Sequence, residues 1–80
     1  MDNEIHIYNS LKKWRLNKSK IENCPAYIIC HNTVIEDLSK YIVKDKDDLY
    51  KIKGVGDKFI KSYSEEIFEI LLKEYKKLLN

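Results

Sequence analysis

Eighty residues, 44% apolar and 35% charged, suffice for one small core but lie near the lower limit of what folds unaided. No apolar run approaches the ~18 residues of a membrane span and no signal-peptide core follows Met1, so the chain is expected to be soluble, cytoplasmic and free of membrane contact. The net charge of +2 hides an uneven distribution: residues 12–20 hold five basic side chains and no acid, while residues 49–63 hold four lysines against one aspartate. Two cationic stretches on an otherwise acidic chain point to an anionic partner touching part of the surface, or to solvated helix faces.

Residues 4 to about 23 read as a first helix. Ile5, Tyr8, Leu11, Arg15, Ser19 and Glu22 fall near one face, with Trp14 at its edge. An arginine inside a core-facing stripe is expected to pack its stem and pair its guanidinium with a carboxylate, Asp37 or Glu66. Pro25 ends this helix, because the residue before a proline is driven out of the α region. Ala26-Tyr27-Ile28-Ile29-Cys30 is then an extended or 3₁₀ crossing that plugs the core; a lone strand would have no partner.

Asn32-Thr33 opens a second helix, with Thr33 and Glu36 as a capping box and Asp37 in the first turn. Val34, Ile35, Leu38, Tyr41 and Ile42 form its buried side. Asp45 or Asp47 caps a very short third helix through Leu49 to about Ile52. A fourth helix runs to Tyr63. Ser64 caps a fifth, with Glu65 and Glu66 in the first turn and Lys76 and Lys77 near the end. Its faces carry Ile67, Leu71, Glu74 and Leu78, flanked by Phe68, Leu72, Tyr75 and Leu79. The predicted architecture is all-α, a compact single domain of about five helices over residues 1–80.

The chain's two glycines, Gly54 and Gly56, stand between the third and fourth helices in L-Y-K-I-K-G-V-G-D-K-F-I-K-S-Y, Leu49 to Tyr63. A tight corner here needs a backbone without Cβ. The helix that follows offers N–H groups with no internal partner, and its dipole adds positive charge, which suits a phosphate. The same Gly-Val-Gly pattern also suits a plain helix–helix corner.

Four signals occur in order: L-K-K-W-R from Leu11, P-A-Y-I-I from Pro25, N-T-V-I-E-D-L from Asn32, and the glycine corner from Asp48 to Tyr63. Together they resemble the HRDC domain, the helicase-and-RNase-D C-terminal module, over nearly the whole chain. Two departures concern connections: Val43-Lys44 stands where that family often has a proline before its third helix, and Ser64 where it often has a glycine.

The resemblance implies an accessory module excised from a longer helicase or nuclease, such as a RecQ-like ATP-dependent helicase of DNA repair and recombination. It implies weak, sequence-independent contact with DNA, single-stranded or branched, by a monomer. The candidate contact residues are Lys53, Gly54, Gly56, Lys58 and Lys61, flanked by Lys18 and Lys20, with Tyr27, Tyr50 or Tyr63 as rings on which a base could stack. The alternative is a protein-docking module that uses the acidic segment 36–48 and the apolar last helix.

Catalysis by the chain itself is not expected. It has no G-x-x-x-x-G-K-[ST] loop for ATP, and Asp45, Asp47 and Asp48 read as caps rather than metal ligands. Cys24, Cys30, His6 and His31 lack zinc-site spacing and no disulfide is expected, so no cofactor or metal is predicted.

Overall fold

A computed structural model describes residues 2–78, which are all-α: helix α1 spans Asp2–Ile21, α2 Ala26–Ile29, α3 Asn32–Lys40, α4 Lys46–Tyr50 and α5 Asp57–Leu78. The α1 helix packs against α2, α3 and α5, and α4 packs against α5. The resulting core joins Ile7, Leu11 and Trp14 of α1 to Val34, Ile35 and Leu38 of α3, Leu49 of α4, and Phe59, Ile60, Ile67 and Leu71 of α5. Ile7, Leu11 and Trp14 lie one turn apart on a single stripe. Ile5, expected in that stripe, is exposed.

Pro25 is not what stops α1. Asn23 adopts a left-handed conformation, φ 53°, and the Asn23 and Cys24 amides donate to the carbonyls of Lys20 at 3.3 Å and Ser19 at 2.9 Å. This pairing closes the helix at Ile21, four residues before the proline. Pro25 instead serves as N-cap of α2, a single helical turn where an extended or 3₁₀ crossing was expected. Ile29 and Cys30 are its buried contribution; Tyr27 and Ile28 point outward.

The expected Thr33–Glu36 capping box is not formed. His31 is the N-cap of α3 and makes no side-chain cap bond, which leaves Thr33 exposed inside the helix. Nor do Tyr41 and Ile42 reach the core. The chain turns extended at Tyr41, so Val43 is buried in their place, its amide donating to the Tyr75 hydroxyl at 3.1 Å. The cap of α4 is Asp45, whose Oδ1 accepts from the Asp48 amide at 2.9 Å, while Asp48 Oδ2 accepts from the Lys44 amide at 3.0 Å. The latter bond holds the Asp48 carboxyl below its ordinary pKa.

The predicted fourth and fifth helices are one. Ser64 does not cap a helix; it is buried within α5, because Phe59, Ile60, Tyr63, Ile67 and Leu71 continue one stripe across it. Leu72 and Leu78 are exposed rather than packed, and Leu79 lies outside the described residues. Trp14, Phe59 and Tyr63 meet edge to face, with ring centroids 5.3–6.4 Å apart, and fix α1 against the start of α5.

Arg15 is buried as expected, but its partner is a backbone carbonyl, that of Cys30, at 3.1 Å. Glu66 is occupied elsewhere, accepting from the Trp14 indole at 3.1 Å and pairing with Lys18 at 2.9 Å.

Candidate nucleic-acid interface

The corner between α4 and α5 is built by its two glycines in different ways. Gly54 sits at φ +95°, and a Cβ there would stand 3.0 Å from Val34 Cγ2, so both conformation and space demand glycine. The Val55 amide donates to the Ile52 carbonyl at 3.1 Å and tightens the turn. Gly56 has neither constraint: a Cβ on it would meet nothing within 4 Å. Its carbonyl accepts the Ile60 amide at 3.1 Å, which makes Gly56 the residue that opens α5. The amides of Asp57, Lys58 and Phe59 therefore form the open first turn of a 22-residue helix.

That turn borders an open groove of about 350 Å³, whose lining includes Tyr27, His31, Gly54, Gly56, Lys58 and Tyr63. Lys58 is exposed and pairs with no carboxylate among the described residues. Two acids oppose the cationic character. Asp57 Oδ1 accepts from the Tyr50 hydroxyl at 2.6 Å, which raises the Tyr50 pKa and keeps a carboxylate at the positive helix end. Glu22, at the rim of the groove, accepts from the Tyr63 hydroxyl at 2.6 Å. Burial and then this bond push the Tyr63 pKa up to about 12, so the ring stays neutral at physiological pH. Burial likewise raises the Cys30 thiol, against a smaller opposing effect of Arg15; the group is a packed thiol and not a nucleophile.

Of the seven residues expected to form the interface, Gly54, Gly56 and Lys58 share this groove. Lys61 is exposed one turn further along α5. Lys53 borders a different depression, of about 430 Å³, with Asp37, Tyr41, Ile42 and Asp48. Lys18 is neutralised by Glu66, its ammonium 5.9 Å from the Tyr63 ring centre. Lys20 is exposed on the last turn of α1. His31 and Ser62 also line the groove and were not anticipated. Neither carries a sequence signal beyond its place, His31 just before a helix start and Ser62 one turn after Lys58. Among the described residues no cluster of three or more His, Cys, Asp or Glu is arranged to hold a metal ion, and no helix is long and apolar enough to cross a membrane.

The sequence model of the HRDC domain matches residues 4–71. Proteins named ATP-dependent DNA helicase UvrD2, from Mycobacterium bovis and Mycobacterium tuberculosis, are each 26% identical over 71 residues, covering 89% of this chain and 10% of the relative. The chain thus spans about a tenth of the length of the curated relatives it matches. No solved structure matches it.

Proposed function

The chain belongs to the HRDC domain family, and from that premise we propose that it is an accessory nucleic-acid-binding module of an ATP-dependent DNA helicase. The relatives are UvrD2 helicases, which supports a helicase parent in general rather than a RecQ-like one in particular. ATP hydrolysis and strand separation are then the work of other parts of the parent. This module contributes weak, sequence-independent contact with DNA phosphates, with a preference for unpaired strands.

The observation that carries this reading is Lys58. Its ammonium, which pairs with no carboxylate among the described residues, and the open first turn of α5 border the same groove, beside the exposed Tyr27 ring. A phosphate seated at that turn would accept backbone N–H bonds and gain from the lysine charge, while a splayed base stacks on Tyr27. With Asp57 and Glu22 nearby, the affinity should be low and steeply dependent on salt. The test is an anisotropy titration of a labelled single-stranded oligonucleotide at low and at moderate salt. Binding is expected at low salt, lost at moderate salt, and weakened by Lys58→Glu with Lys61→Glu. Binding indifferent to both salt and charge reversal would contradict it.

A second reading, docking onto the parent helicase or a repair partner, draws on Tyr41 and Ile42, which are 60% and 62% exposed beside the depression that holds Asp37 and Asp48. Co-sedimentation with the parent's helicase core, abolished by Tyr41→Ser with Ile42→Ser, would favour it over DNA contact.

A further inference from the structure

The α1 and α5 helices run antiparallel: Tyr63 meets Glu22, and Glu66 meets Trp14. Between them lies an open groove of about 330 Å³ that neither the glycine corner nor the end of α1 accounts for. From α1 it takes Ser10, Lys13 and Asn17, spaced three and four residues apart on one stripe. From α5 it takes Lys73 and Lys77, one turn or ~6 Å apart along the axis, with Glu74 between them. Trp14 and Ile70 complete its lining.

The charge in this groove is one-sided. Among the described residues the one carboxylate that lines it is Glu74, which is buried and already paired with Lys77 at 3.0 Å. Lys13 and Lys73 are exposed, and neither pairs with a carboxylate among the described residues. Glu69, one turn before Lys73 on α5, is the nearest exposed acid on that helix in sequence, and Glu66 is held by Lys18 and Trp14. The corner groove, by contrast, sets Lys58 against Glu22.

We propose that this α1/α5 groove is a second phosphate-contacting surface, in which a single strand lies between Lys13 on one wall and Lys73 on the other, Lys77 being held by Glu74. The ammonium groups supply charge, and the Ser10 hydroxyl and Asn17 amide supply neutral donors to phosphate oxygens. No base edge is read, so sequence is immaterial. The proposal deepens the reading of the chain as a nucleic-acid-binding module and adds a face to it. A strand could then engage the module along the helix pair as well as at the corner.

The experiment compares two charge-reversal pairs in the intact chain against a labelled single-stranded oligonucleotide at low salt: Lys13→Glu with Lys73→Glu, and Lys58→Glu with Lys61→Glu. Circular dichroism melting confirms the fold, and Lys13→Gln with Lys73→Gln serves if the reversal pair melts early. Loss of two phosphate contacts should weaken binding about tenfold and flatten the log–log salt slope by roughly 1.4. The Asn17 side-chain amide resonances should also shift as oligonucleotide is added. If the groove pair changes nothing while the corner pair weakens binding, the groove proposal is overturned and the corner reading stands. If the groove pair alone matters, the reverse holds. Absence of oligonucleotide binding overturns both, and capture of a glutamate-rich peptide in its place would assign the groove to a protein.

Discussion

Arg15, buried in the middle of α1, donates from its guanidinium to the main-chain carbonyl of Cys30, 3.1 Å away. The bond ties the middle of α1 to the end of the short α2 turn, and so sets the wall from which Tyr27 and His31 face the corner groove. A charged donor on a buried carbonyl is worth ~1.5–3 kcal/mol, and its loss leaves that carbonyl unpaired. Arg15→Ala should therefore lower Tm by roughly 10 °C in a domain of this size. Arg15→Met, which keeps the apolar stem, should fall between. Thermal denaturation followed by circular dichroism measures both; an unchanged Tm in Arg15→Ala would place the side chain outside the core.

Gly54 and Gly56 should respond to alanine to very different degrees. At Gly54 the left-handed backbone alone costs ~1–2 kcal/mol and the methyl also presses on Val34 Cγ2 at 3.0 Å, so Gly54→Ala should destabilise clearly. At Gly56 the added Cβ meets open space, and the stability change should be at most ~1 kcal/mol, the loss of a glycine helix cap. If a phosphate approaches the first turn of α5, Gly56→Ala should still weaken oligonucleotide binding. Urea unfolding and anisotropy on the same two variants separate stability from contact.

The contrast between these glycines shows what could be read in advance. A tight corner was legible because side chains rarely adopt the Gly54 backbone, and Asp45 was legible as one of two candidate caps, with Asp47, because a cap's partner amide lies two or three residues on. Local signals failed where long-range packing decided. Ser64 resembles a cap, yet the stripe from Phe59 to Leu71 carries the helix through it. Thr33 and Glu36 match a capping box, yet the α3 turn begins at His31, whose carbonyl accepts the Val34 amide at 3.1 Å. At the candidate interface, lysine counting pointed to Lys58 and Lys61 near the glycine corner, and both are exposed there. It could not show that Lys53 turns to another depression or that Glu66 claims Lys18, because both depend on how helices distant in sequence meet.

Acid should loosen the start of α4. The Asp48 carboxyl titrates below its ordinary range because the ionised form accepts the Lys44 amide. Its contribution is fully present above the unfolded value near ~3.9 and is lost as pH falls through the depressed folded value. Hydrogen exchange at the Lys44 amide should lose protection over that acidic window in the native chain and be unprotected at all pH values in Asp48→Ala. Protection that persists below the window would contradict the bond.

Alkali should act at Tyr63. A phenol raised to about 12 in the fold, against ~10 when unfolded, contributes stability that is complete below the unfolded value and disappears as pH rises through the folded one. Melting temperature should fall between these pH values, and Tyr63→Phe should lessen that fall while losing the bond to Glu22. An identical alkaline profile in both proteins would show that Tyr63 is not the group responsible.

Phosphate contact at the α4–α5 corner can be followed atom by atom through amide chemical shifts. Titrating the ¹⁵N-labelled chain with a short single-stranded oligonucleotide at low salt should shift the backbone amides of Asp57, Lys58 and Phe59 and reverse on adding salt. Amides at this turn that stay still at saturating oligonucleotide, while others elsewhere move, would contradict the corner as the site of contact.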